Sequence, residues 1–188
     1  MMNPKVGYFL AKLIGRIKRD KHKETLNKWF IKQGVSLGGD GLCTGDGKWI
    51  NICSNVAVNE PHLIQIGCNS TIGGNVEFVT HDNSISKVLP DTTDLFGKIT
   101  VGNNCFIGAR SVIMYGVTIA DNVIVAAGSV VTKSVTQSNV IVGGNPARVI
   151  STWEAFAEKN KDFAWNMDAI SRTEMIEHTS QGIKLIKR

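Results

Sequence analysis

From Ile66 to Val131 the apolar positions of this chain recur every six residues. Ile66, Ile72 and Phe78 open the series, and Val101, Ile107, Ile113, Ile119, Val125 and Val131 continue it without a gap. The residue after each is usually glycine or alanine, as at Gly67, Gly73, Gly102, Gly108, Ala120 and Ala126. In the third place stand Asn69, Asn75, Asn104, Gly116, Asn122 and Gly128, residue types that tolerate a left-handed backbone and so suit a corner. The fourth place is small or β-branched, as at Ser70, Val76, Cys105, Ser111, Val117, Val123 and Ser129. Each hexad therefore predicts a short strand and a turn, and three hexads predict one triangular coil. Stacking sets each inward aliphatic above its equivalent three hexads on, so Val101, Ile119 and Gln137 are expected in one column. One coil cannot bury its apolar face alone, and the pattern predicts a β-solenoid with neighbours and closed ends.

The frame breaks once, between Phe78 and Val101. The stretch from Asp82 to Gly97, with Pro90, Asp91 and Asp94, has no hexad register and predicts a loop over about 83–97. Long insertions in a regular scaffold tend to carry function. Upstream, Ile50, Ile52, Val56 and Val58 alternate as irregular opening coils would. Val6, Phe9, Leu10, Leu13, Ile14 and Ile17 have amphipathic helical spacing, and Trp29, Phe30 and Ile31 close a second helical stretch before Gly34. After Ile150, residues Trp153, Phe156, Ala157, Phe163, Met167, Ile170, Met175 and Ile176 are compatible with one or two helices packing on the solenoid. The organisation expected is a helical arm over 1–34, a β domain over 35–150 and a helical extension over 151–188.

Charge singles out the arm. Of the 21 basic residues, nine lie in residues 1–33 against only Asp20 and Glu24, and the rest of the chain is slightly acidic. Two readings compete: a helix capping the open end of the solenoid, or a basic surface helix making weak peripheral contact with anionic lipid. Capping is preferred, because an uncapped solenoid exposes apolar edges. The arm carries no recognisable nucleic-acid motif, so nucleic acid is not an expected partner. No apolar run approaches the roughly 18 residues of a membrane span, and the N-terminus has no secretory pattern, so the reading is cytoplasmic. Cys43, Cys53, Cys68 and Cys105 form no Cys-x-x-Cys pair, which argues against a disulfide framework or zinc site, and Cys105 sits in the small inward column. Gly47-Lys48 fails as a phosphate loop, since Leu42 and Trp49 stand where glycine and a magnesium-binding hydroxyl are required.

The hexad register, with Val125-Ala126-Ala127-Gly128-Ser129-Val130-Val131-Thr132-Lys133 and Gly143-Gly144-Asn145-Pro146-Ala147-Arg148-Val149-Ile150, resembles the hexapeptide-repeat acyltransferases, above all their sugar O-acetyltransferase branch. The resemblance covers about residues 50–150. It implies a mainly β fold, a left-handed parallel β-helix with flanking helices and one extruded loop, assembled as a homotrimer. Handedness comes from the resemblance alone, since parallel crossovers are ordinarily right-handed. The activity implied is acetyl-CoA-dependent O-acetylation of a sugar hydroxyl, with a surface or capsular polysaccharide sugar preferred as acceptor. N-acetylation of a nucleotide-linked amino sugar, serine or a xenobiotic remains an alternative, as does a non-catalytic scaffold.

Four histidines are present, His22, His62, His81 and His178, and only His81 stands where the repeat stops and the loop begins. The resemblance makes it the catalytic base, and an imidazole titrating near neutrality suits removal of a hydroxyl proton. The oxyanion requires a backbone N–H, which the resemblance places near Ala109. Cofactor contacts carry over to Ala109, Ala127, Thr132, Lys133 and Arg148, of which Lys133 and Arg148 can meet phosphates. Phe106 and Ser151 depart from the pattern, where many relatives carry Trp and some a second basic residue. Candidate acceptor contacts are Asn59, Glu60, Asp82, Asn83 and Asp94. No metal is expected, because neither His22 nor His178 falls in the repeat to join His62 and His81 on zinc.

Overall fold

The computed structural model describes residues 19–38, 50–52 and 57–186. They divide into two compact units, one ending at Ile150 and the other running from Ser151. In the first unit, strands two or three residues long recur through three parallel sheets in fixed rotation. Ile64–Ile66 (β4), Thr71–Ile72 (β5) and Glu77–Phe78 (β6) make one circuit. Ile99–Val101 (β9), Phe106–Ile107 (β10) and Val112–Ile113 (β11) make the next, followed by Thr118–Ile119 (β12), Val123–Val125 (β13) and Val130–Val131 (β14). The first sheet orders Ser36–Leu37 (β1), β4, β9 and β12; the third orders β14, β11, β6 and Ala57–Val58 (β3). The second runs from Asn51–Ile52 (β2) through β5, β10 and β13 to Val140–Gly144 (β15) and Ala147–Thr152 (β16).

All nine apolar residues of the hexad series are buried, from Ile66 to Val131. The tiny residue after each has a steric cause. A Cβ on Gly67 would lie 2.5 Å from the Gly102 carbonyl carbon, so neighbouring strands could not approach to pairing distance. At the corners Asn69, Asn75, Asn104 and Asn122 all take positive φ between 53° and 58°, and Gly116 and Gly128 take φ 77° and 73°. Between the first and second sheets the asparagines form a ladder: Asn69 Nδ2 donates to Asn104 Oδ1 and Asn104 Nδ2 to Asn122 Oδ1, both at 2.8 Å.

Two sequence expectations need correction. The residue stacked on Ile119 is Val135, not Gln137. The last circuit is shorter, as the pairing of Val125 with Val142 shows. The slip keeps half-buried Val135 against the core and leaves Gln137 exposed, sparing the cost of burying an amide. Cys68 is disulfide-bonded, contrary to the cysteine reading, with its partner outside the described residues. Cys105 is free and buried.

The helix Arg19–Gln33 (α1) closes the opening end of the first unit. It buries Leu26 and Phe30, and buried Asn27 donates from Nδ2 to the Ile50 carbonyl at 2.8 Å. Gly34 ends it at φ 100°, where Gly34 N–H bonds Ile31 O and Val35 N–H bonds Phe30 O. The amphipathic stretch Val6–Ile17 lies outside the described residues. In the second unit, Trp153–Asn160 (α2) and Arg172–Ser180 (α3) are capped by Thr152 and Ser171 and contain no buried residue. Phe156, Phe163, Met167 and Ile176 are exposed, while Trp153, Ile170 and Met175 are half-buried. Among the described residues no helix is long and apolar enough to cross a membrane.

Candidate active site

The loop leaves the repeat as a small ribbon of its own. His81–Asp82 (β7) pairs antiparallel with Leu95–Phe96 (β8), His81 opposite Phe96, and Ser84–Lys87 forms a 3-10 turn. The ribbon is anchored at both ends: Val79 N–H bonds Ile113 O, and Gly97 N–H bonds Thr80 O. Gly97 is obligatory here, since a Cβ would come 2.5 Å from Gly116 N. His81 is thus held on a rigid corner, and its side chain remains 34% exposed.

One circuit earlier, Glu60 reaches across to it. Glu60 Oε2 lies 2.9 Å from His81 Nδ1 and also accepts from the buried Thr80 hydroxyl. The Thr80 hydroxyl, then the imidazole, hold the Glu60 carboxyl below its ordinary range. The bond to Glu60 in turn raises His81, assisted by the charges of Asp94 and Asp82. An ionised Glu60 fixes the proton on Nδ1 and leaves the Nε2 lone pair to accept another. Glu60, a candidate acceptor contact by sequence, is therefore committed to His81.

The other acceptor candidates are dispersed around this pair. Asp82 accepts from Ser84 N–H at 2.8 Å, which holds its carboxyl below the usual range, and Tyr115 Oη lies 3.5 Å from its Oδ2. Asn83 precedes the 3-10 turn and its carbonyl accepts from Ser86. Asn59 is exposed, and Asp94 is half-buried on the return of the loop.

The cofactor candidates separate into two groups. Glu60, His81, Tyr115, Thr132 and Lys133 all follow strands of the third sheet, on the connections back to the first. By register Lys133 lies two strand spacings, about 10 Å, from the level of His81. Lys133 and Arg148 line one cavity of about 320 Å³ with Ser134, Thr136, Gln137 and Val149. Ala109 and Ala127 instead follow strands of the second sheet, on the connections to the third. Gly128 N–H bonds the Ala109 carbonyl at 2.9 Å, and among the described residues no acceptor takes the Ala109 N–H. One chain thus carries His81 and Lys133 on one edge and the Ala109 N–H on another.

A model of the hexapeptide repeat of succinyl-transferase matches residues 98–133. Protein CapG of Staphylococcus aureus is 47% identical over 131 residues, spanning 68% of this chain and 72% of that protein. The chain belongs to the hexapeptide-repeat acetyltransferases. Galactoside O-acetyltransferase of Escherichia coli K12 is 37% identical over 51% of this acetyltransferase, which spans 47% of that relative's length. The crystal structure of a maltose O-acetyltransferase from Clostridium difficile 630 has the same fold, with a TM-score of 0.54 and 24% identity over 79% of this chain and 85% of that one. This acetyltransferase is accordingly an acyltransferase enzyme of a family with sugar-acetylating members.

Sequence reasoning missed Thr80, Phe96 and Tyr115. Thr80 and Tyr115 carried a usable signal, since each lies two residues after an inward hexad position on the third sheet, Phe78 or Ile113. Phe96 lies in the aperiodic loop, where only the ribbon pairing reveals its neighbour.

Proposed function

We propose that this acetyltransferase moves an acetyl group from acetyl-CoA to a hydroxyl of a sugar, as an O-acetyltransferase of surface or capsular polysaccharide synthesis. The observation that carries the reading is the Glu60–His81 pair on the edge that also bears Lys133. The galactoside- and maltose-acetylating relatives support a sugar as acceptor. Acetyl-CoA supplies the acetyl group as an activated thioester. The cavity between Lys133 and Arg148 fits its phosphates, because two cations at the rim of one polar cavity can share them.

The roles follow from the geometry. His81 Nε2 takes the hydroxyl proton as the acceptor oxygen attacks, while Glu60 keeps the imidazole in the required tautomer and stabilises it once charged. The Ala109 N–H is the donor available to the developing oxyanion. His81 then returns its proton to the departing thiolate, which leaves as the free thiol.

We further assign the three sheets to a left-handed β-helix that assembles as a homotrimer. The division of the site supports the assembly: a second copy sets its Ala109 edge beside the first copy's His81 edge, completing a groove neither forms alone. The arm over residues 1–34, the β domain over 35–150 and the extension over 151–188 are assigned as separate parts, and a cytoplasmic location is assigned.

His81→Ala tests the reading. Acetyl transfer should fall roughly 10²- to 10⁴-fold with little change in the Kd for acetyl-CoA, measured by thiol release and calorimetry. A variant keeping more than about a tenth of the wild-type rate would remove His81 as the base, since less than a tenfold loss is below what general-base catalysis supplies.

A further inference from the structure

The extruded loop returns to the repeat carrying an aromatic ring to the base itself. Phe96 is the ribbon residue directly opposite His81, and the two rings lie 5.7 Å apart at 36°. Contact with the imidazole covers only part of the ring, for Phe96 stays 61% exposed. Packing does not explain it, because a phenylalanine on a loop ribbon gains nothing from facing water. The loop also exposes Val88, Leu89 and Leu95, but carboxylates lie close to the ring: Asp82, with Tyr115 Oη 3.5 Å from its Oδ2, follows His81 on the same strand, and Asp94 lies two residues before Phe96, near enough for its charge to act on His81.

A flat apolar surface beside a base, flanked by carboxylates, is complementary to a sugar ring. A pyranose has an apolar face of C–H groups and a rim of hydroxyls; the first packs on an aromatic ring and the second donates to carboxylates. We propose that Phe96 is the acceptor platform, stacking on the C–H face of a pyranose and aiming one of its hydroxyls at His81 Nε2. With the ring centroids 5.7 Å apart, a sugar on the exposed part of Phe96 lies beside the imidazole. The proposal rests on the acetyl-transfer reading above and deepens it by assigning the acceptor class to a residue.

The test uses the full chain with acetyl-CoA and two acceptors, methyl β-galactopyranoside and acyclic glycerol. In Phe96→Ala the ratio of kcat/KM for the pyranoside to that for glycerol should fall roughly tenfold, the loss expected for one aromatic contact. Phe96→Leu should stay low, since it restores apolar bulk without a flat face, and Phe96→Trp should recover the ratio. Saturation-transfer NMR with the pyranoside gives a readout that needs no turnover: the C–H protons of one sugar face should receive most of the saturation, and Phe96→Ala should abolish that pattern. An unchanged ratio across the three variants, or no facial pattern with wild type, would overturn the proposal. So would a smaller sedimenting species in Phe96→Ala, which would assign the ring to a contact between copies. Failure of the base assignment reads differently, as His81→Ala retaining activity on both acceptors while the Phe96 ratio still shifts.

Discussion

Two edges of the first unit follow the same register and do opposite things. Between the first and second sheets, Asn69, Asn104 and Asn122 stack as identical residues, each side-chain amide spent on the next. Between the third and first sheets the corresponding column is heterogeneous: Glu60, Thr80, Tyr115 and Lys133, with His81 one residue beyond Thr80. Identical residues in a ladder satisfy one another and leave nothing for a ligand. Unlike residues pair unequally, and Glu60–His81 is such a pair, with a lone pair left over on the imidazole. Where the repeat is most regular it is structural, and where it breaks it acquires chemistry.

Substitution should separate the two edges. Asn104→Ala has the largest expected effect on folding. It removes two ladder bonds and places alanine at φ 53°, together about 2–4 kcal/mol. Chemical denaturation should show that loss while activity per folded molecule stays at the wild-type level. Asn104→Gly tolerates the backbone angle and should lose only the ladder share, about 1–2 kcal/mol.

On the other edge, Glu60→Gln should leave the melting temperature nearly unchanged and lower kcat/KM roughly 10- to 100-fold, less than for a fully buried orienting carboxylate. The pH profile carries the sign. His81 is a base only when neutral, and Glu60 raises its pKa, so wild-type activity should rise through an ionisation above the ordinary imidazole range. Glu60→Gln removes the largest cause of that rise, and the acid limb should move to lower pH. An unmoved limb would detach Glu60 from the base. The smallest effect is expected at Lys133→Ala, a roughly tenfold increase in KM for acetyl-CoA with a lesser change in kcat, read from initial rates.

Much of the fold was legible because each hexad position meets the same environment in every circuit. Burial, the steric limit after Gly67 and the left-handed corners each repeat, so each left a column in the sequence. The register failed at Gln137, where the circuit shortens and only the contest between Val135 and a buried amide decides the outcome. His81 was legible as the break in the pattern. Glu60 was visible but placed on the acceptor, because its partner is 21 residues away and the contact depends on a neighbouring circuit. Phe96 left no signal, since an aperiodic loop offers no column to compare it with.

The pairing of Ile66 with Val101 closes the first sheet behind the loop as tightly as the pairing of Val101 with Ile119, where nothing intervenes. The insertion is therefore a cassette: both of its ends are fixed by the repeat, and its length enters stability only through a slowly growing closure entropy. The ribbon can be exchanged by grafting the residues between Asp82 and Gly97, Phe96 included, without renegotiating the core.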